Sequence, residues 1–93
     1  MIKAIIVDDE KLSRNTLKKL LEIYCPDVEV IAECDNAASA TIQVMQIQPE
    51  LVFLDVAMPG KNGIDFLKEL DDIKFEVIFV TAHDKYILQA IRL

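Results

Sequence analysis

Apolar, β-branched runs alternate with amphipathic segments along this chain, and three of the runs end on a polar residue that a buried strand does not require. Ile2–Val7 is followed at once by Asp8 and Asp9, Leu51–Leu54 by Asp55, and Val77–Val80 by Thr81. Between them lie segments of helical period. Glu10–Tyr24 places Leu17, Leu20, Leu21 and Tyr24 on one stripe, with Leu12 a turn earlier. Ala37–Ile47 places Ala38, Thr41, Ile42 and Met45 together, and a helix from Gly63 to about Asp71 turns Ile64, Leu67 and Leu70 inward. A further helix is predicted from Asp84, with Tyr86, Ile87, Ala90 and Ile91 as its apolar positions. Asp9 and Asn36 are the expected N-caps of the first two helices. Pro26, Asp27 and Pro49 stop those helices, and Ala57–Asn62, with Pro59 and Gly60, reads as a loop.

Strands that alternate with helices over short connections make βαβ units and a parallel sheet. Ile2–Val7, Leu51–Leu54 and Val77–Val80 are almost continuously apolar, as strands covered on both faces are. Val28–Cys34 is mixed: Val28, Val30, Ala32 and Cys34 share one face, and Glu29, Ile31 and Glu33 share the other. That strand belongs at an edge. The expected fold is a doubly wound α/β sheet of order 2-1-3-4, in which the first and third strands meet where the winding reverses. Ligands bind such sheets at that point, beyond the carboxyl ends of the strands. Asp8, Asp9, Asp55 and Thr81 are all expected there.

Ninety-three residues allow one domain, and 53% hydrophobic residues are enough to build its core. A net charge of −6 argues against this segment gripping DNA, which needs clustered Lys and Arg. No apolar stretch approaches the roughly 18–20 residues of a membrane span, and Ile2–Val7 lacks the features of an export signal. Cys25 and Cys34 have no metal-ligand spacing and read as reduced, partly buried thiols of a cytoplasmic chain.

Clustered carboxylates repel one another and raise each other's pKa unless a cation joins them. Oxygen ligands suit Mg²⁺, Mn²⁺ or Ca²⁺ over Zn²⁺, and Mg²⁺ takes one or two carboxylates, keeps waters and accepts phosphate oxygens. A carboxylate can also attack phosphorus to give an acyl phosphate, which fits Asp55, and the Thr81 hydroxyl could bond a phosphoryl oxygen. Taken singly, Asp9 is equally a helix cap, Asp55 a turn residue before Pro59, and Thr81 a residue at a helix start. Their joint placement points to a site.

With those residues in hand, the chain resembles the receiver domain of bacterial two-component response regulators, whose fold is flavodoxin-like. The matching stretches are Ile5-Ile6-Val7-Asp8-Asp9-Glu10, Leu54-Asp55-Val56-Ala57-Met58-Pro59-Gly60-Lys61-Asn62-Gly63 and Phe79-Val80-Thr81-Ala82. The resemblance implies that residues 1–93 are a receiver and that Asp55 accepts a phosphoryl group from a sensor histidine kinase. It implies that Asp8, Asp9, Asp55 and the backbone carbonyl of Ala57 hold Mg²⁺, and that Thr81 moves toward the phosphoryl group on activation. Thr81-Ala82-His83-Asp84-Lys85-Tyr86 with Gln89-Ala90 is further similar to receivers joined to LytTR-type DNA-binding domains. The expected role is signal transduction controlling an output such as transcription, without enzymatic turnover. DNA would be reached only through an effector domain.

The family's fifth strand and helix, with a Lys that contacts the phosphoryl group, would lie beyond Leu93, and neither Lys61 nor Lys85 replaces that Lys. The receiver is thus expected to be C-terminally incomplete over these residues, with its fourth strand a sheet edge prone to pairing with another chain. The usual homodimer surface of the family combines the fourth helix with that fifth strand and helix. Two other readings stand beside this one. One is an interaction module of receiver fold that takes no phosphate. The other is a haloacid-dehalogenase-like phosphatase, which would need an Asp two residues after its nucleophile, where this chain has Ala57.

Overall fold

The computed structural model describes residues 1–80. The elements are β1 (Ile2–Val7), α1 (Lys11–Tyr24), β2 (Val28–Cys34), α2 (Ala37–Ile47), β3 (Leu51–Leu54), α3 (Gly63–Glu69) and β4 (Glu76–Phe79). The strands form one parallel sheet in the order β2-β1-β3-β4, as the apolar patterning predicts. The helix expected from Asp84 lies outside the described residues.

Two apolar layers sandwich the sheet, because successive side chains of a strand point to opposite faces. Ile5, Val7, Val52 and Leu54 face α2 and α3, meeting Ala37, Ala40, Phe66 and Leu67. Ala4, Ile6, Leu51 and Phe53 face α1 and meet Leu21, with Leu17 packed alongside. β3 is buried throughout and β1 from Ala4 onward, which accounts for their unbroken apolar sequence. β4 differs from expectation. Val77 and Phe79 pack on the α2/α3 layer, but Ile78 on the other face is 46% exposed among the described residues.

β2 is a half-exposed edge strand as predicted, but its inward residues do not share one face. The pairing shifts between Ala4↔Val30 and Ile5↔Ala32, so Ile31 is passed over. Such a bulge inverts the alternation. Val28 and Val30 therefore pack on the α1 side, and Ala32 and Cys34 on the α2 side.

The helix stripes also shift. In α2 the inward residues are Ala37, Ala40, Val44 and Ile47, and Ile42 and Met45 face outward. Two alanines let that helix lie close to the sheet, which an apolarity count overlooks. In α1 Leu21 is buried and Leu17 half-buried, whereas Leu12, Leu20 and Tyr24 are exposed among the described residues. α3 ends two residues early, at Glu69, and Phe66 is its most buried side chain. Asn36 caps α2 as expected, accepting from the Ser39 amide at 2.8 Å. Asp9 does not cap α1: Glu10 occupies that position and makes no side-chain cap. Cys34 is buried, but Cys25 is exposed. Among the described residues no helix is long and apolar enough to cross a membrane.

Candidate functional site

The carboxyl ends of β1 and β3 are held side by side by the last rungs of the ladder. The Asp8 amide donates to the Cys34 carbonyl at 3.0 Å, the Asp55 amide to the Val7 carbonyl at 2.8 Å, and the Val80 amide to the Leu54 carbonyl at 3.0 Å. Asp8 and Asp55 are thus the first residues past their strands, with backbones still in register. The topology brings together what the sequence separates by 47 positions, 55 minus 8. Asp8, Asp9 and Asp55 each offer a carboxylate oxygen, and these oxygens all lie within 4.8 Å of one another.

The strain of that arrangement falls on Asp55. Burial first, opposed by the Ala57 amide and joined by the charges of Asp8 and Asp9, pushes its carboxyl up to about 6. Asp55 Oδ1 accepts from the Ala57 amide at 3.1 Å, and Asp8 Oδ1 accepts from the Glu10 amide at 2.9 Å. Asp8 and Asp55 are nearly covered, at 7% and 9% exposure, and Asp9 is half-buried. Among the described residues the carboxylates of Asp8 and Asp55 accept hydrogen bonds from backbone amides and from no cationic side chain, so they form a donor set of hard oxygens. That chemistry fits Mg²⁺, whose charge would relieve the repulsion that raises Asp55.

A cleft of about 450 Å³ opens beside the acids, lined by Asp8, Glu10, Ser13, Asp55, Ala57 and Val80, among others. Ala57, whose backbone carbonyl the family resemblance implies as a ligand, is among the residues lining this cleft. Thr81 lies outside the described residues; Val80, the residue before it, lines the cleft.

Two residues shape the site in ways that the sequence alone does not reveal. Gly63, the first residue of α3, presses against the backbone of Asp55, where an added Cβ would collide with the Asp55 carbonyl and lie 3.0 Å from Leu54 Cγ. Its amide donates to the Val56 carbonyl at 3.0 Å, while Asn62 caps α3 by accepting from the Asp65 amide at 2.9 Å. Arg14 is a nearby cation among the described residues, and its Nη1 donates to the Asp8 backbone carbonyl at 2.7 Å. The signal for Arg14 was its place in the first turn of the helix that opens at the acid pair.

Known proteins agree with this architecture. The family model described as the response regulator receiver domain matches residues 4–93. The sensory transduction protein LytT of Bacillus subtilis is 42% identical over 92 residues, covering 97% of this chain and 38% of that protein. The transcriptional regulatory protein BtsR of Salmonella typhi is 40% identical over 91 residues, with 97% and 38% covered. The chain thus spans 38% of the length of each of these curated relatives. Among solved structures, the response regulator domain of Thermotoga maritima CheB superposes with a TM-score of 0.83 at 26% identity, covering 99% of this chain and 72% of that one. A LuxR-family two-component response regulator from Aurantimonas sp. superposes at 0.87 with 25% identity, covering 99% and 68%. Sheet order, acid cluster and sequence match converge, and the chain belongs to the response regulator receiver domain family, a signalling module of two-component systems.

Proposed function

We propose that this chain is the phosphoacceptor receiver of a longer regulator, and that Asp55 takes a phosphoryl group from the phosphohistidine of a sensor kinase. The observation that carries this reading is the convergence of the Asp8, Asp9 and Asp55 carboxylate oxygens within 4.8 Å at the switch point of a receiver sheet. Asp8, Asp9, Asp55 and the Ala57 carbonyl would hold Mg²⁺, which when bound neutralises charge on the transferring group. The Ala57 amide fixes Asp55 Oδ1, and Oδ2 is the attacking atom. Its oxygen forms the new bond to phosphorus as the bond to the histidine nitrogen breaks, and the imidazole leaves with the electron pair. Attack requires the carboxylate, so the acidic neighbours must be offset before Asp55 reacts. The Thr81 hydroxyl then bonds a phosphoryl oxygen and reports the change to the rest of the domain.

The output follows by similarity to the relatives named for sensory transduction and transcriptional regulation. It is transcription, through an effector region that contacts DNA, while the receiver itself carries a net charge of −6. The setting is the cytoplasm, where the histidine kinase presents its phosphoryl group.

The test is uptake from a small phosphodonor such as acetyl phosphate. Phosphorylation should require Mg²⁺, stop on chelation, and fall by about two orders of magnitude or more in Asp8→Asn with Asp9→Asn, as expected for loss of metal-held charge stabilisation. Uptake that persists in chelator or in the double variant contradicts the assignment.

A further inference from the structure

Arg14 reaches from the first turn of α1 into the loop that carries the acid pair. Its Nη1 donates to the Asp8 carbonyl at 2.7 Å, and its Nε donates to Glu33 Oε1 on β2 at 3.1 Å. Lys18, a turn further along α1, donates to the other Glu33 oxygen at 2.8 Å. The Arg14 side chain is 14% exposed, so this is a sheltered contact rather than a loose surface pair. A guanidinium is built to fork onto a carboxylate. Here it leaves the nearby acidic cluster alone and grips the backbone between them.

The carbonyl it grips belongs to the peptide that joins Asp8 to Asp9. The amide of Asp8 is already fixed by Cys34, and its Oδ1 by the Glu10 amide. Asp9 has no such anchor from its neighbours among the described residues; the orientation of its carboxylate follows that of the peptide before it. Rotation of that peptide would carry the Asp9 carboxylate away from Asp8 and Asp55, and the charged hydrogen bond from Arg14 opposes it.

We infer that Arg14 is a positioning residue for the divalent-cation site. It locks the Asp8–Asp9 peptide so that both carboxylates meet the ion together with Asp55, while Glu33, itself bonded by Lys18, holds the guanidinium in place. The inference rests on the reading of Asp8, Asp9 and Asp55 as the Mg²⁺ ligands.

Electrostatics gives a sharp discriminator, because Arg14 is itself a cation. If it acted through charge alone, removing it would strengthen the binding of another cation nearby. Positioning has the opposite sign. Arg14→Met keeps the apolar stem and removes the donors. In the full chain, Mg²⁺ titration followed by calorimetry and amide shifts should show binding about tenfold weaker, the usual scale for losing a partner that orients metal ligands. Melting in chelator confirms that the variant is folded. If it is not, Arg14→Lys, which keeps the charge but not the fork, takes its place and should bind Mg²⁺ more than twofold less tightly. A folded variant that binds Mg²⁺ within twofold of the unaltered chain, or more tightly, overturns the inference. An unaltered chain that binds no Mg²⁺ overturns instead the metal-site reading beneath it.

Discussion

Gly63 lies against the carbonyl of Asp55 so closely that no side chain can stand between the start of α3 and the end of β3. This contact places the helix directly behind the proposed phosphoacceptor and makes the conformation of the Val56–Asn62 loop a condition of the site. Gly63→Ala should cost roughly 1–3 kcal/mol of stability by overpacking. It should also slow phosphoryl uptake, because the backbone that gives way is that of Asp55. Urea melts read the first effect, and initial rates with a small phosphodonor the second. Unchanged stability in Gly63→Ala would show that the contact is looser than described.

The raised pKa of Asp55 makes a statement about stability and pH. Between the ordinary aspartate value of ~3.9 and the folded value of about 6, the folded state binds more protons than the unfolded one. Stability from this group is therefore fully present below that window and is lost as pH rises through it. With divalent cations chelated, Asp55→Asn should be more stable than the unaltered chain at pH 7, by on the order of 2 kcal/mol, and closely similar to it at pH 4. Saturating Mg²⁺ should shrink the gap at pH 7, since the unaltered chain gains a cation that the variant holds less well. Thermal melts at the two pH values check this, and a gap that is the same at both would remove repulsion and burial as its cause.

Asn36 provides a control remote in role from the chemistry. Its side chain accepts from the Ser39 amide and caps α2. Asn36→Ala should cost roughly 1 kcal/mol, as cap losses do, and leave phosphoryl uptake per folded molecule unaltered. A matching loss of uptake would mean that α2 supports the site in a way its packing does not reveal.

Much of the site was legible in the sequence because strand ends are. The runs before Asp8 and Asp55 are buried on both faces, so their composition alone marks them as central, and the mixed pattern of Val28–Cys34 marks an edge. From that order the meeting of Asp8, Asp9 and Asp55 follows. The errors have local causes. The bulge that passes over Ile31 inverts the faces of β2, yet leaves the apparent alternation of the sequence intact. The α2 stripe was displaced because Ala37 and Ala40 contribute closeness rather than apolar bulk. Asp9 resembles an N-cap by residue type, but the helix begins one residue later and leaves it to the acid cluster. The contacts of Gly63 and Arg14 are not legible in the sequence because each is made to a backbone carbonyl, and sequence patterns report side chains.

The central claim is that Asp55 is the residue that accepts phosphate, and intact-mass analysis after incubation with acetyl phosphate and Mg²⁺ tests it most directly. The account predicts one added phosphoryl group on the unaltered chain, located to the peptide containing Asp55 and absent from Asp55→Asn. An adduct that survives in Asp55→Asn, or one located to any other residue of the chain, would contradict it.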